Sequence, residues 1–533
     1  MDKRWNWFFF ILVLLIFSAF FTKDLWPVDE TRYAEVGREV LSQKSVFLLT
    51  KNGEPYSHKP PLYPWLMALG YAVFGVRDWI PKLIPMLFSF GCLFAGGLVY
   101  RDLYNEKVPA LFKVVLFSSL YYFIFSFYAM FDVLLTFWVL LAAHFYLNEK
   151  YPWFWAMLGL GILTKGPVVL VIIALPVLVH RVLKQGVTGL KPNLQFWLGV
   201  LIMLAIVAVW LVPLLFSAKS SFVQELLVKQ NFGRMASAGS WAHQRPVYWY
   251  LFLFPVLAGP WALFWYVNGL NRDFWREPGD RFIYVVVLTN LVAFSLISGK
   301  QMHYLIPVIP FLGFWIARHW EEIFATKATR LVIKGYGLTN LLLGLFFVWF
   351  GGGVHGFWSL SASLMESLKD IPPLADPSSL VSLAWIPVGI LFILSGLVGL
   401  FKRMTASGRV TWVVAGAVVF LAWLSLILVP SANTIMSPKD ISEQIKNYAA
   451  QGMQVAVYAR GAYDAELNFY SQIDSFLVLK TQEGVGEFLA QPRRLLATYD
   501  LRILPSTNNW RIIGEGWSFG EKIYLIASSE KDR

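Results

Sequence analysis

Four segments of the sequence combine carboxylates, cations and tyrosines in patterns that could act on a charged substrate. A carboxylate can orient an attacking hydroxyl or take its proton. Cations can hold a phosphate and stabilise the charge that develops on it as one of its bonds breaks. The patterns therefore predict transfer of a phosphate-linked group. The segments are Asp29-Glu30 with Arg32 and Tyr33, Tyr56 to Tyr63 with His58 and Lys59, Phe131-Asp132, and a basic set of Lys165, His243-Gln244-Arg245-Pro246, Lys300 and His303-Tyr304.

Each of these residues also has a plainer interpretation. Asp29 and Asp132 could each cap the helix that begins beside them, and Lys59 could extend its ammonium toward lipid headgroups. Arg32 could pair with Glu35 along one face of a helix. No single residue decides between the interpretations. Their combination indicates a site, provided that the fold brings the four segments together.

The composition is that of a membrane protein. Of the 533 residues, 57% are hydrophobic and 15% are charged, whereas soluble domains carry about 25% charged residues. The net charge of +12 comes from basic residues scattered through short loops, which favours cytoplasmic loops and anionic lipid over nucleic acid as the partner. The single cysteine, Cys92, excludes a disulfide framework.

Apolar segments predict about 13 membrane-crossing helices. The segment 153–164 is short, but basic residues before and after the hairpin 153–183 place Lys165-Gly166-Pro167 at its outer tip. The N-terminus is then cytoplasmic, and an odd number of crossings places the C-terminus outside. The segments are 7–23, 82–100, 109–128, 132–147, 153–164, 167–183, 194–216, 247–268, 281–298, 304–318, 331–350, 383–401 and 410–430.

Two long outward loops, about 24–81 and 217–246, carry much of the polar chemistry. In the first loop, the pattern from Asp29 onward predicts a helix with Tyr33, Val36 and Val40 on one face and charged side chains on the others. Such a helix is expected to lie in the membrane interface rather than to cross it.

The expected fold class is an all-α polytopic membrane domain, residues 1–430, followed by a small outer α/β domain, residues 431–533. Ser437-Pro438-Lys439-Asp440 is typical of a helix start, and Gly452 of a helix end. Strand-like runs follow at 455–458, 476–479, 495–498 and 523–527.

Six motifs, taken in order, resemble the bacterial 4-amino-4-deoxy-L-arabinose lipid A transferases and their relatives in the protein O-mannosyltransferase superfamily. The resemblance covers roughly residues 1–320, and the later segments agree only in layout. The motifs are VDETRYAEVGREVLSQ from Val28, NGEPYSHKPPLYPWL from Asn52, DVLLTF from Asp132, LTKGP from Leu163, AHQRPVYWY from Ala242 and SGKQMHYLIP from Ser298.

The resemblance implies a GT-C fold and a donor sugar on undecaprenyl phosphate. The sugar would pass with inversion to lipid A or another envelope acceptor, at the outer face of a bacterial cytoplasmic membrane. By motif position, Asp29 matches the catalytic acidic residue, and Lys59 and Tyr304 match contacts to the donor phosphate. A basic residue such as Arg245 is expected beside them. The candidate set further contains Glu30 and Asp132 as catalytic residues and Arg32, Tyr33, Tyr63, Lys165 and Lys300 as substrate contacts.

The chain departs from the family at one histidine. The glutamate that commonly precedes the Lys-Pro motif is His58 here. A lone histidine such as His58 or His243 is more often structural than a metal ligand. Together, the two could form a two-histidine zinc site. The spacing of the basic residue after His243 also differs, so the role of Arg245 stays open. No nucleotide is implied.

The acceptor decides what Asp29 does. A lipid A phosphate is already ionised, so Asp29 would position groups or hold the ammonium of an amino sugar. A sugar or serine hydroxyl must instead lose a proton. Aminoarabinose, another pentose and a hexose are all open as the sugar. A lipid flippase, a transporter or a polysaccharide polymerase is the alternative function.

Overall fold

The computed structural model describes residues 3–43, 46–187, 191–217, 222, 245–269, 275, 277–297, 299–352, 380–459, 463, 465–506 and 510–528. Among these residues, apolar helices make up most of the chain up to Met436, and a small sheet with its own helices follows. The helices of the first part are α1 Lys3–Thr22, α2 Asp29–Ser42, α3 Leu62–Phe74, α4 Trp79–Tyr104, α5 Ala110–Ser118, α6 Leu120–Phe125, α7 Asp132–Leu147, α8 Tyr151–Lys165, α9 Leu175–Gln185, α10 Leu194–Ser217, α11 Trp249–Leu257, α12 Pro260–Asn268, α13 Pro278–Leu296, α14 Ile309–Ala325, α15 Lys327–Gly352, α16 Leu380–Phe401, α17 Ala406–Trp423 and α18 Val429–Met436.

Interruptions divide several of the predicted crossings. Ser119 separates α5 from α6, and Gly259, with a φ of 63°, separates α11 from α12. Short π-helical turns, Leu170–Ala174 and Leu424–Leu428, precede α9 and α18. Every predicted segment coincides with helical structure. Within the described ranges, however, only six helices are by themselves long and apolar enough to cross a membrane, so the number of crossings stays a prediction.

The first outer loop is less polar than the sequence analysis expected, because it contains the apolar helix α3. Its side chains Leu69, Val73 and Phe74 are 64%, 66% and 58% exposed. Large apolar side chains with this exposure belong against lipid rather than water. The predicted loop therefore contains a helix with an exposed apolar face.

Other parts of the protein cover helix α2 along most of its length. Ten of its 14 residues are buried. Gly37 lies so close to α3 that a Cβ there would approach the Met67 Cβ to 2.8 Å. The expected pairing of Arg32 with Glu35 is wrong, since the Arg38 guanidinium donates to both Glu35 oxygens at 2.7 and 2.8 Å. The polar face is therefore covered by protein, and the expected position of the helix in the membrane interface stays a prediction.

The C-terminal part is a five-stranded mixed sheet with the order β4-β3-β5-β7-β6. Strands β4, β3 and β5 are parallel, and β7 pairs antiparallel with both β5 and β6. The predicted helix start and end bracket α19, Lys439–Ala450, and the four predicted strands coincide with β3, β4, β5 and β7. The sequence analysis missed β6, whose glycines lower strand propensity. The bounds are β3 Gln454–Tyr458, α20 Asn468–Ser471, β4 Leu477–Leu479, α21 Gln482–Leu489, β5 Arg494–Thr498, β6 Trp510–Ser518 and β7 Glu521–Ser528.

Hydrogen bonds and an ion pair attach this sheet region to the first outer loop, where β1, Thr50–Lys51, and β2, Glu54–Pro55, form a hairpin. Asn52, in the turn of that hairpin, accepts from the Phe476 backbone N–H at 2.7 Å and from the Asn468 side chain at 2.9 Å. Arg38 of α2 also pairs with Asp474 at 2.8 Å. The contacts involve residues more than 400 positions apart, so the outer region and α2 support each other.

Replacement of Asn52 should loosen this attachment. Asn52 has a φ of 54°, so Asn52→Gly removes the hydrogen bonds without adding backbone strain. We expect the local opening free energy at Phe476 to fall by about 1–3 kcal/mol, because a buried N–H loses its acceptor. Amide hydrogen exchange of the 474–479 peptide measures this change.

Asn105→Gly is the matched control, because Asn105 has a φ of 55° and is exposed at the end of α4. In the Asn105→Gly variant, the Phe476 amide should exchange at the same rate as in the unmodified protein. Equal protection of Phe476 in both variants would show that Asn52 does not hold the outer region.

Candidate active site

A buried ion pair joins the start of α7 to the end of α8. Asp132 is the first residue of α7, Lys165 is the last of α8, and the Lys165 ammonium donates to Asp132 Oδ1. Because a three-residue turn joins the two helices, they run antiparallel and these ends lie side by side. The two side chains are 1% and 5% exposed. Among the described residues, Asp132 Oδ2 has no hydrogen-bond partner, which marks a place for a ligand or water.

A second carboxylate stands at the start of α2. Asp29 Oδ1 accepts from the Arg32 guanidinium and from the Tyr33 hydroxyl, the latter at 2.9 Å. The Asp29 side chain is 40% exposed, so it is the accessible acid of the two. Neither Asp29 nor Asp132 caps its helix, because each is already the first helical residue and the preceding cap position has no side-chain bond. The capping interpretation is therefore wrong for both.

Electrostatics keep Asp29 ionised. Burial alone would raise its pKa, but the charges of Arg32 and Lys59 and the Tyr33 hydrogen bond together hold the pKa below its usual value. Lys59, from the loop before α3, therefore lies within electrostatic reach of this carboxylate. The ammonium of Lys59 also stands 5.7 Å from the centre of the Phe131 ring. Lys59 thus belongs to this cluster.

His303 joins the same cluster, although the sequence analysis noted it only as a neighbour of Tyr304. It lies in the 3-10 helix Met302–Val308 that leads into α14. Burial holds its pKa well below the usual range, the charges of Lys165 and Lys59 lower it further, and Asp29 opposes them. His303 is therefore neutral and lies within electrostatic reach of Lys165 in its own segment and of Asp29 and Lys59 in two of the others. Its place in the SGKQMHY motif was the signal that could have identified it.

Aromatic rings form one wall of the cluster. The Phe131 ring packs edge-on against Tyr33 at 4.7 Å and Tyr63 at 4.9 Å. On the other side, the Lys165 ammonium stands 5.1 Å from the centre of the Tyr304 ring. The Tyr63 hydroxyl is fully buried and donates to a backbone carbonyl at 2.7 Å. Tyr63 therefore supports the wall from behind.

Glu30 has a different environment from Asp29, although the two are adjacent in sequence. It is completely buried, pairs with the buried Lys23, and accepts from the backbone N–H groups of Trp26 at 3.0 Å and Ala129 at 2.8 Å. These contacts tie α2 to the segment that leads into α7. The predicted catalytic role of Glu30 stays a prediction, and its contacts hold the start of α2, where Asp29 lies.

Arg245 and Lys300 form a neighbouring group. The Lys300 ammonium is buried and donates to the backbone carbonyls of Arg245 at 3.0 Å and Ile297 at 2.5 Å. Arg245 is exposed, with its guanidinium 5.8 Å from the Trp249 ring centre. Lys300 thus fixes the backbone of Arg245 and not its side chain, so the Arg245 guanidinium stays accessible.

The predicted zinc site stays a prediction, because His243 lies outside the described residues. His58 is half-buried, and its ring lies 5.2 Å from that of Tyr56. Within the described part of the chain, no group of three or more His, Cys, Asp or Glu side chains is arranged to hold a metal ion.

Loss of Lys165 should destabilise the bundle. Lys165→Met leaves the Asp132 carboxylate buried without its cation, and we expect a loss of about 3–5 kcal/mol. Asp132→Asn in the same chain should restore much of it, because the uncompensated charge is then gone. Thermal unfolding in detergent measures both variants.

Lys150→Met is the control, because Lys150 is exposed immediately before the same helix. Its effect should stay within about 0.5 kcal/mol. A single Lys165→Met variant as stable as the unmodified protein would contradict the buried pair.

Comparison with known proteins gives relatives along most of the chain. The family described as dolichyl-phosphate-mannose-protein mannosyltransferase matches residues 58–212. An uncharacterised Aquifex aeolicus protein is 23% identical over 89% of this chain and 87% of its own length. Undecaprenyl phosphate-alpha-4-amino-4-deoxy-L-arabinose arabinosyl transferases are also similar. That of Enterobacter sp. (strain 638) is 26% identical over 60% of each chain, and that of Pseudomonas paraeruginosa 27% over 65% of each. The matches therefore span less than two thirds of those transferases.

The structural match is more extensive. The crystal structure of ArnT from Cupriavidus metallidurans bound to undecaprenyl phosphate superposes with a TM-score of 0.76 and 18% identity, over 99% of this chain and 98% of that one. The apo structure of the same protein gives 0.71. The likeness thus extends through the C-terminal sheet, where the sequence resemblance was only one of layout. The chain is therefore similar in sequence to these transferases, and it shares the fold of ArnT over almost its whole length.

Proposed function

We propose that the chain transfers a sugar, a pentose such as 4-amino-4-deoxy-L-arabinose, from undecaprenyl phosphate to lipid A or a related envelope acceptor. The observation that carries the proposal is the convergence of Asp29, Lys59, Asp132, Lys165 and His303 at one end of the helix bundle. Undecaprenyl phosphate in the ArnT crystal structure and the names of the arabinosyl transferases support the choice of donor.

The cations are placed to serve the donor phosphate. In the reaction, the bond between the anomeric carbon and a phosphate oxygen breaks, and its electron pair remains on the phosphate. Lys59 and Lys165 stabilise this charge, since both are cations within one electrostatic cluster. The acceptor oxygen forms the new bond from the opposite face, which inverts the anomeric carbon. Asp132 holds the Lys165 ammonium in place throughout.

The depressed pKa of Asp29 favours positioning over proton removal. A general base works best when its pKa is near the working pH, and Asp29 is shifted away from that range. An acceptor phosphate needs no base, so its ionised oxygen can attack directly. The Asp29 carboxylate is then available to hold an ammonium or a hydroxyl of the transferred sugar. A phosphate acceptor therefore fits this site better than a hydroxyl acceptor.

The cluster belongs to segments that the charge distribution assigns to the outer face. We accordingly place the reaction at the outer face of a bacterial cytoplasmic membrane, with the N-terminus in the cytoplasm and the sheet region outside. Residues 1–430 then form the membrane domain and 431–533 the outer domain. Asp29 and Lys59 come from the same outer loop, which agrees with this orientation.

Lys59→Met tests the proposal directly. We expect transfer of labelled sugar from purified undecaprenyl phosphate donor to fall by about a hundredfold, because one cation is removed from the developing charge. Transfer is measured in detergent micelles, where a flippase would give no product.

Lys446→Met, on the same predicted side of the membrane but in α19, should leave the rate unchanged. The Lys446 ammonium contacts only Gln472 among the described side chains, at 2.8 Å. Failure of the unmodified protein to form any glycosylated product in micelles, with lipid A or another envelope acceptor, would refute the proposed function.

The pH profile should depend on Arg32. The folded pKa of Asp29 is depressed, so its carboxylate is ionised above that pKa and protonates only as the pH falls through it. Arg32→Gln removes the largest charge that lowers this pKa, so the loss of activity on acidification should begin at a higher pH. Initial rates measured between about pH 4 and pH 8 give the shift of the acidic limb of the pH–rate profile.

Arg511→Gln, at an exposed position on β6, should keep the unmodified profile. An Arg32→Gln profile that is lower overall but unmoved along the pH axis would mean that Asp29 is not the group that titrates.

A further inference from the structure

The imidazole of His303 stands at the candidate active site as a polar group between aromatic rings. It lies in the 3-10 helix Met302–Val308, directly before Tyr304. The side chain is half-buried, and within the described part of the chain neither of its ring nitrogens has a hydrogen-bond partner. A polar group that is mostly enclosed and unpaired usually serves a ligand or a water.

Two aromatic rings restrict the rotation of this imidazole. Its centre lies 5.9 Å from that of the buried Phe125 ring, at the end of α6. On the other side it meets the Tyr304 ring edge-on, at 5.2 Å and an angle of 78°. These are ring contacts and not hydrogen bonds, so the packing holds the imidazole in place and leaves its nitrogens available.

The charges around His303 are those that the proposed reaction assigns to the donor phosphate. Lys165 and Lys59 both act electrostatically on the imidazole, and Asp29 acts in the opposite sense. The Lys165 ammonium stands 5.1 Å from the centre of the Tyr304 ring, the same ring that the imidazole contacts. Lys165 and His303 therefore lie against one aromatic side chain.

The neutral state of the imidazole decides which ligand group it can serve. A neutral imidazole carries one N–H donor and one acceptor nitrogen. An ammonium of the transferred sugar would be repelled by Lys59 and Lys165, whereas a phosphate would be attracted to both. Hydrogen bonds to an ionised oxygen are also stronger than those between neutral groups. The surroundings of His303 therefore suit donation to a phosphate oxygen.

We propose that His303 is a further binding residue for the donor phosphate, with its imidazole N–H donating to a phosphate oxygen beside Lys165. Its part in transfer rests on the proposed function, whereas binding of a polyprenyl phosphate can be measured without turnover. When the bond to the anomeric carbon breaks, its electron pair stays on the phosphate, and the imidazole keeps its proton. The hydrogen bond strengthens as that charge grows, so His303 contributes to kcat as well as to affinity.

Two substitutions separate the hydrogen bond from the ring packing. His303→Phe keeps an aromatic ring between Phe125 and Tyr304 but removes the donor, whereas His303→Gln keeps an N–H donor and loses the ring. Microscale thermophoresis of the purified full chain in detergent measures binding of undecaprenyl phosphate. We expect the Kd to rise about tenfold in His303→Phe, since a hydrogen bond to a charged acceptor is lost, and by less than about threefold in His303→Gln.

His180→Phe is the matched control for loss of an imidazole. His180 lies in α9, near the other end of the predicted hairpin 153–183 from Lys165. Its Nδ1 pairs with the Tyr146 hydroxyl at 2.8 Å, and its ring lies 5.1 Å from that of Phe282. The Kd for undecaprenyl phosphate should equal that of the unmodified protein.

Steady-state transfer gives the second readout. His303→Phe should lower kcat and raise the KM for the undecaprenyl-linked donor, and should leave the KM for the acceptor unchanged. An unchanged Kd in His303→Phe, or a Kd that rises in His303→Gln and not in His303→Phe, would overturn the proposal. A rise confined to the acceptor KM would overturn it as well. Undecaprenyl phosphate binding that depends on the His303 donor, in a protein that forms no glycosylated product, would refute the proposed function and leave the phosphate contact standing.

Discussion

The requirement that charge within an apolar helix bundle be paired organises the end of this bundle where α1, α2, α7 and α8 meet. Isolated ions there are costly, so cations and carboxylates are brought together. Lys165 and Asp132 join α7 to α8, while Lys23 and Glu30 join the end of α1 to α2. Among the described residues, Asp132 Oδ2 of the first pair has no hydrogen-bond partner, and the partly exposed Asp29 lies within electrostatic reach of Asp132. The bonds that hold the bundle together thus also bring reactive groups to one place.

The covering of α2 connects this end of the bundle to the outer sheet. Arg38 engages Glu35 within α2 and Asp474 beyond it, and the hairpin turn at Asn52 holds the backbone of Phe476. The same helix begins with Asp29, so the contacts that hold the sheet region also hold the helix that carries the candidate catalytic acid.

Sequence patterns identified the groups of the candidate site more successfully than their partners. Asp29, Lys59, Asp132 and Lys165 were singled out because ionisable residues are rare in an apolar chain, and the structure brings them together. Their local interpretations failed where the partner was distant. Arg32 and Glu35 have the spacing of a helical pair, yet each finds another partner, since tertiary packing outweighs the few tenths of a kcal/mol that such a pair contributes. Asp29 and Glu30 are adjacent acidic residues, and nothing in their sequence positions indicated that one is completely buried and the other partly exposed.

By itself, the sequence determined the helical membrane architecture, most strands of the outer sheet and the identity of the polar clusters. These features depend on hydropathy and short-range periodicity, which are local properties of the chain. Tertiary structure alone decided that α2 is covered by protein, that Arg38 rather than Arg32 pairs with Glu35, and that His303 lies close to Asp29 and Lys59. Each of these features depends on contacts between residues far apart in the chain, and no local pattern encodes which distant surface will cover a given face.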